Sequence, residues 1–248
     1  MKKLKQSKIK MFVYLIIIVA VVFCGNWLYK NRKVQFEDDM MRQVICLELG
    51  KDKDSQDVTY RDLESIEELH IGALGMFETI EDVAKCKNLK TLGVNELIQP
   101  QDASFELYEI AETGERYYPP YPSVSEEKMQ RMQKDLEKIL KSDRKIEEFG
   151  FTNVNDSFDI LNMKFLKYGK NIKDIDISYS NIKDYSVLEN CSNLQSIDLW
   201  YSDIDSADDL LELKYVNRLI LTGTPLAQNE KEIVKLKKAF PEAEIVVD

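Results

Sequence analysis

The chain has 248 residues, of which 44% are hydrophobic, and its formal net charge at pH 7 is −10. The eight basic residues up to Lys33 have no acidic residue among them, so residues 34–248 carry 26 basic against 44 acidic side chains, a net charge of −18. Phosphate binding needs a basic footprint, so nucleic acid is not an expected ligand. The acidic segment favours a protein partner with a basic surface, or serves only solubility.

The N-terminus combines a basic tail with an apolar stretch. Residues 1–10 contain five lysines, and residues 11–29 contain no charged side chain. Nineteen apolar residues suffice to cross a bilayer, and Trp27 and Tyr29 suit its interface. Five basic residues precede the stretch and three follow it, which favours a cytoplasmic N-terminus. The sequence thus predicts a cytoplasmic tail at 1–10, a single-pass anchor in the cell membrane at 11–29, a linker at 30–37 and an extracytoplasmic remainder.

Two other interpretations of this N-terminus stay open. A cleaved signal peptide needs small residues at the cleavage site, and Val22-Phe23-Cys24 matches that requirement poorly. A lipid anchor would use Cys24, but the residue before it is Phe23, where lipoprotein signals carry a small residue.

Six copies of one apolar phrase follow the predicted anchor. They read Ile66-x-x-Leu69-x-Ile71, Leu89-x-x-Leu92-x-Val94, Ile146-x-x-Phe149-x-Phe151, Ile172-x-x-Ile175-x-Ile177, Leu194-x-x-Ile197-x-Leu199 and Val216-x-x-Leu219-x-Leu221. The last three are spaced by 22 residues, and a second column of Ile182, Ile204 and Leu226 keeps the same spacing. This periodicity is typical of a leucine-rich repeat. It predicts an α/β solenoid of about six repeats, with a curved parallel sheet and apolar segments at helical spacing on its convex side.

The spacing is interrupted between the second and third copies, and we expect an insertion at residues 98–145. Strand-forming residues at 105–110 and 116–118 flank a glycine-containing turn, which predicts a hairpin. Ser125 can cap a helix in which apolar residues recur on one face. Those apolar residues are Met129, Met132, Leu136, Ile139 and Leu140. The prolines at 119, 120 and 122 either stiffen a connection or help to present Tyr117, Tyr118 and Tyr121 to a partner.

With these phrases the chain resembles bacterial leucine-rich-repeat proteins of the internalin-like kind, over residues 38–97 and 146–248. The resemblance implies that residues 38–63 are a helical N-cap and that residues 236–245 form a closing helix and last strand. The chain departs from the family at the position that the family usually fills with an inward-pointing asparagine. Here that position holds Leu74, Leu97, Val154, Ser180, Ser202 and Thr224.

The exposed positions of the strands form the predicted concave face. Asp176 and Asp198 occupy the same strand position one repeat apart, with Asp174 nearby, and Tyr179, Trp200 and Tyr201 follow these strands. Exposed aromatic residues beside charges are typical of binding hot spots, although Trp200 can instead cap a strand edge. The same carboxylates and aromatic residues also suit a glycan. Calcium is a weaker alternative, because no loop matches a calcium-binding motif.

The motifs of common enzymes are missing from the sequence. His70 is the single histidine, and there is no phosphate loop, dinucleotide fingerprint or zinc-protease motif. Cys46, Cys86 and Cys191 are expected to be core thiols, with a disulfide as the alternative. We therefore expect neither an enzyme nor a bound cofactor or metal.

The sequence predicts a membrane-anchored, extracytoplasmic module that binds a protein partner through its concave face. The alternative is a structural or regulatory component of a cell-envelope complex, which contacts its partners through the insertion and the transmembrane helix. A wall- or glycan-modifying enzyme is the third possibility that the sequence leaves.

Overall fold

The computed structural model describes residues 2–95, 99–100, 109–110, 116–117, 123–142, 145–152, 163–182 and 184–248. Helix α1 spans Lys2–Lys30 and contains the predicted anchor. Within it, Met11–Lys30 has a mean hydropathy of 2.4 and no buried residue, so it is long and apolar enough to cross a membrane. An N-terminal signal sequence has the same properties.

The segment predicted to be the N-cap contains two short helices, α2 (Asp39–Glu48) and α3 (Tyr60–Leu63). Asp38 begins α2, because its carboxylate accepts the Met41 amide at 2.8 Å. Thr59 begins α3 in a capping box with Asp62, in which each side chain accepts a backbone amide from the other end. The apolar face of α2 is fully buried and covers one end of the core.

The main sheet has seven parallel strands in chain order. Their bounds are β1 Glu68–Ala73, β2 Thr91–Asn95, β7 Glu148–Thr152, β8 Asp174–Asp176, β9 Ser196–Asp198, β10 Arg218–Ile220 and β11 Glu244–Val246. The first six coincide with the six apolar phrases. The central residue of each phrase is buried. These residues pair across the sheet in one row: Leu69, Leu92, Phe149, Ile175, Ile197 and Leu219.

The connections between strands bury the apolar residues that the sequence placed at helical spacing. Several of them form short 3₁₀ helices rather than α-helices, including Glu81–Lys85, Met163–Tyr168, Tyr185–Asn190 and Asp208–Leu210. Spacings of three residues fit both helix types, and the segments are too short for the sequence to distinguish them.

The column in which the family carries asparagine is buried and bonded to the turn backbone in three repeats. The Ser202 hydroxyl donates to the Ile177 carbonyl at 2.9 Å, and the Thr224 hydroxyl donates to the Leu221 carbonyl at 2.7 Å. The Ser180 hydroxyl donates to the Ser178 carbonyl at 3.2 Å. Leu74 fills the equivalent position with an apolar side chain. Leu97 and Val154 lie outside the described residues.

At the C-terminal end, helix α5 (Glu230–Ala239) follows an Asn229 cap and buries Ile233 and Leu236. Strand β11 then pairs with β10 and completes the sheet. Helix α2, which contacts β1, and helix α5, which precedes β11, both contribute buried residues to the core.

The described parts of the insertion include the predicted hairpin and helix. Strands β4 (Glu109–Ile110) and β5 (Arg116–Tyr117) pair antiparallel, and β3 (Gln99–Pro100) pairs parallel with β6 (Ser123–Val124). Helix α4 spans Glu126–Ser142, and the Ser125 hydroxyl accepts the Lys128 amide at 3.3 Å. Its predicted apolar face is buried. Tyr117 lies in β5, whereas Tyr118 and Tyr121 lie outside the described residues.

All four cysteines have free thiols, and those of Cys46, Cys86 and Cys191 are buried. Burial raises the pKa of the Cys191 thiol to about 12, so this thiol stays protonated and packs as an apolar group.

Candidate functional site

Two rows of side chains cross the exposed face of the main sheet, which we call the open face. The first row contains Glu68, Thr91, Glu148, Asp174, Ser196, Arg218 and Glu244. The second row contains His70, Gly93, Gly150, Asp176, Asp198, Ile220 and Val246. The rows alternate with the buried central row because successive strand side chains point to opposite faces. The pairing therefore fixes which side chains are neighbours.

A groove lies in the middle of the open face, where the second row has no side chains. Gly93 and Gly150 are paired neighbours, and at Gly150 the main chain is uncovered. The groove extends from His70 to Asp198 and has a volume of about 430 Å³. The His70 imidazole lies over Gly93, where a Cβ atom would come within 2.1 Å of Nδ1. The glycines thus form the floor of the groove, and His70 borders one end.

The opposite end of the groove is acidic. Glu148 and Asp174 are paired neighbours in the first row, and Asp176 and Asp198 are paired neighbours in the second. Partial burial, followed by the charge of Glu148, raises the pKa of the Asp174 carboxyl. Burial, followed by the charge of Asp176, raises the pKa of the Asp198 carboxyl. Like charges on adjacent strands repel each other, and a bound cation would relieve this repulsion.

Some of these carboxylates also have structural partners. Asp198 Oδ1 accepts the Trp200 amide at 2.9 Å, and Asp176 Oδ1 accepts the Ser178 amide at 2.9 Å. Each bond reaches two residues along the chain and stabilises the turn after the strand. In Glu148, Oε2 accepts the Thr91 hydroxyl at 3.0 Å. A carboxylate has about four lone-pair sites, so these bonds leave acceptor capacity toward the groove.

The predicted aromatic residues form one cluster at the end of β8 and β9. The Tyr179 and Tyr201 rings are stacked with centroids 5.9 Å apart and planes within 2°. The Trp200 ring contacts both, with centroids 5.3 Å from Tyr179 and 5.1 Å from Tyr201. Trp200 is 41% exposed and Tyr201 is 38% exposed. Asp198 accepts the Trp200 amide, and this bond links the turn that carries Trp200 and Tyr201 to the acidic end of the groove.

The backbone of this cluster is unusual. Tyr179 has a φ of 57° and Tyr201 a φ of 54°, and Gly223, the next residue in the same column, has a φ of 76°. Left-handed backbone is unfavourable for a bulky residue, and such strain concentrates at functional sites. Tyr179 and Tyr201 share this backbone conformation, so each tyrosine projects in the same direction from its turn.

The structure therefore brings together six of the nine residues predicted to bind a partner: Asp174, Asp176, Tyr179, Asp198, Trp200 and Tyr201. Sequence analysis did not assign a binding role to the remaining groove residues, including His70, Gly93, Glu148 and Gly150. A signal was present, because Gly93 and Gly150 occupy the same position of consecutive phrases. The 57-residue offset between the starts of those phrases concealed that their strands are neighbours.

Calcium gains no support from this arrangement. Within the part of the chain that the structure describes, no group of three or more His, Cys, Asp or Glu residues is placed to hold a metal ion. The acidic residues are spread across three strands rather than gathered around one point.

Comparison with known proteins gives structural similarities at low sequence identity. No family model and no curated protein sequence matches the chain. An internalin from Listeria monocytogenes is similar over 85% of this chain and 56% of its own, with 16% identity and a TM-score of 0.45. A leucine-rich-repeat protein from Leptospira interrogans is similar over 67% of this chain and 51% of its own, with 16% identity and a TM-score of 0.34.

An internalin C2 from Listeria monocytogenes is similar over 77% of this chain and 86% of its own, with 14% identity and a TM-score of 0.33. The chain spans about half the length of the first two of these proteins.

Proposed function

We propose that the chain is a membrane-anchored, extracytoplasmic leucine-rich-repeat module that binds a protein partner through its open face. The proposed architecture is a solenoid of about six repeats with a cap at each end. The 22-residue spacing of the last three phrases and the chain order of the seven parallel strands support it. The apolar stretch Met11–Lys30 is the proposed anchor, with the repeats outside the cytoplasm.

One observation carries the proposed binding role: an exposed aromatic cluster follows β8 and β9, the two strands that carry Asp176 and Asp198 of the acidic groove. Tyr179, Trp200 and Tyr201 offer large apolar contact area with few rotatable bonds, as in the energetic centres of protein interfaces. The carboxylates of Glu148, Asp174, Asp176 and Asp198 select for a basic partner surface. At Gly150 the groove floor allows a partner side chain to approach the main chain closely.

The proposed site suits a protein more than a small molecule. Its contact residues extend from β1 to β9 and the turn after it, across a sheet whose neighbouring strands are about 4.8 Å apart. The groove is open to solvent, whereas small-molecule sites enclose most of the ligand surface. The net charge of −18 beyond Lys33 favours association with a basic surface.

Site-specific photo-crosslinking in intact cells tests the binding face. A photoreactive phenylalanine replaces Trp200 in one full-length variant and Val234 in another. Val234 lies on α5, away from the open face, and is 65% exposed. We expect a discrete crosslinked protein from position 200 only, and a lower yield when Asp176→Asn is added. Equal crosslinking at both positions would contradict the proposed face.

The proposed sidedness needs a separate measurement. Intact cells that express the full chain are treated with protease, and residues 36–248 are followed by blotting. We expect digestion without lysis. Protection until lysis would place the repeats in the cytoplasm and leave the open face with intracellular partners.

A further inference from the structure

The end of helix α1 is joined without a free linker to the predicted N-cap, residues 38–63, which we call the cap. Residues 30–37 were predicted to be a linker, but Lys30 is still helical and Val34 is already buried in the core. The intervening backbone pairs with the segment before α3. The Val34 amide donates to the Val58 carbonyl at 2.8 Å, and the Tyr60 amide donates to the Arg32 carbonyl at 3.2 Å. Only three residues, Asn31, Arg32 and Lys33, therefore separate the helix from the buried Val34.

Side chains of the helix contact the cap directly as well. The Tyr29 and Tyr60 rings are stacked with centroids 4.8 Å apart. Lys30 Nζ lies 2.5 Å from Glu64 Oε2, and both side chains are about two-thirds buried. The Arg32 guanidinium lies over the Tyr60 ring, 5.7 Å from its centroid. The half-buried Tyr60 ring thus contacts both the last turn of α1 and the chain that follows it.

These contacts fix the depth of the cap if α1 spans a bilayer. Met11–Lys30 contains 20 residues, which at about 1.5 Å per residue equals a hydrocarbon core about 30 Å thick. Lys30 then lies at its boundary, in a headgroup layer about 5–7 Å deep on each side. Tyr60 and Glu64 contact Tyr29 and Lys30 and therefore lie in that same layer.

We propose that a rigid joint between α1 and α3 holds the cap face formed by residues 29–33 and 57–64 within the lipid headgroup layer. This inference rests on the proposed membrane anchor. The face suits that environment, since Tyr29 and Tyr60 are amphipathic rings and the exposed Arg32 and Arg61 can reach lipid phosphates. Because the joint has no flexible stalk, the open face keeps a fixed orientation relative to the membrane.

Depth-dependent fluorescence quenching tests this joint in the full chain reconstituted into lipid nanodiscs. Cys24→Ser removes the exposed thiol, and the other three cysteines stay unlabelled because they are buried. A fluorophore is attached at Arg61→Cys in one protein and at Ile18→Cys in another. Lipids with a nitroxide on the headgroup or on the middle of the acyl chain serve as quenchers.

We expect headgroup nitroxides to quench the fluorophore at position 61 several-fold more than acyl-chain nitroxides do, and the reverse at position 18. A matched variant inserts about twelve Gly and Ser residues between Asn31 and Arg32, a length that behaves as flexible coil. This insertion should greatly reduce headgroup quenching at position 61 while position 18 is unchanged.

The other outcomes contradict the proposal at different points. Quenching at position 18 without quenching at position 61 leaves the anchor intact and overturns the joint. Undiminished quenching at position 61 after the insertion also overturns it, because something other than the joint would then hold the cap. Absence of quenching at position 18 refutes the membrane anchor, and the joint falls with it.

Discussion

Tyr179, Tyr201 and Gly223 occupy one position in successive repeats, and all three have positive φ. Glycine adopts this conformation freely, whereas a residue with a Cβ atom pays about 1–2 kcal/mol. The two tyrosines therefore carry backbone strain, part of which their stacked rings offset. This strain makes the column a sensitive place for substitutions.

At position 179 we expect glycine to be better tolerated than alanine. Both substitutions remove the ring, but Tyr179→Gly also removes the left-handed strain. We expect its free energy of unfolding to exceed that of Tyr179→Ala by about 1 kcal/mol, as measured by urea denaturation of each variant. The usual order, with alanine more stable, would show that the backbone is not strained there.

Position 223 should show the same preference for glycine over alanine. A Cβ atom there would combine a φ of 76° with contacts of 2.6–2.7 Å to the Tyr201 ring. We expect Gly223→Ala to destabilise the fold by about 1–3 kcal/mol. Gly150→Ala is the matched control, because its nearest contact is 3.6 Å and its φ is ordinary. Equal urea midpoints for the two variants would contradict this prediction.

Helix α4 is attached to the repeats by a buried carboxylate. Asp135 Oδ2 accepts the Thr79 hydroxyl at 2.6 Å and the Ile80 amide at 3.0 Å, and the side chain is 5% exposed. Asp135→Ala would leave the Ile80 amide buried without this acceptor. We expect a loss of about 1–3 kcal/mol in the free energy of unfolding, and Thr79→Val should lose less because it removes only one bond.

The pH dependence of stability should identify this carboxyl. Burial is the main cause that raises the pKa of Asp135 above its ordinary value. A raised folded-state pKa gives stability that is present below the unfolded pKa and is lost as pH rises through the folded one. The stability of the wild type relative to Asp135→Asn should therefore decline from acidic to neutral pH. Denaturation of both proteins across that range measures it, and a constant difference would contradict it.

The elements illustrate what repetition in a sequence can and cannot predict. Six strands follow from one phrase, because each must bury the same central residue against its neighbours. The short 3₁₀ connections could not be distinguished from α-helical turns, since Ile80, Val83 and Cys86 have a three-residue spacing common to both. The groove floor was concealed because Gly93 and Gly150 become neighbours only when the insertion is excluded from the sheet. Ring stacking and positive φ depend on tertiary packing.

For the whole molecule, the charge distribution predicts how binding responds to pH. A basic partner needs ionised carboxylates, and the pKa values of Asp174 and Asp198 are raised mainly by burial. Affinity should therefore begin to fall at a less acidic pH than the ordinary aspartate pKa of about 3.9 would give. The dissociation constant of the partner identified by crosslinking, measured without the crosslinker at a series of decreasing pH values, tests this. An affinity that stays constant until well below that value would contradict it.

Ionic strength should act on the same association through the net charge of −18 beyond Lys33. Raising salt from about 0.01 M to about 1 M shortens the Debye length from about 30 Å to about 3 Å, which screens attraction across the open face. We expect the association rate to fall by about 10-fold or more, while dissociation changes less because the aromatic contacts are apolar.

Asp176→Asn should weaken binding and flatten the salt dependence, whereas Glu212→Gln makes the same charge change at an exposed position outside the sheet. If both variants responded alike, net charge alone would drive association, and the acidic groove would have no specific role.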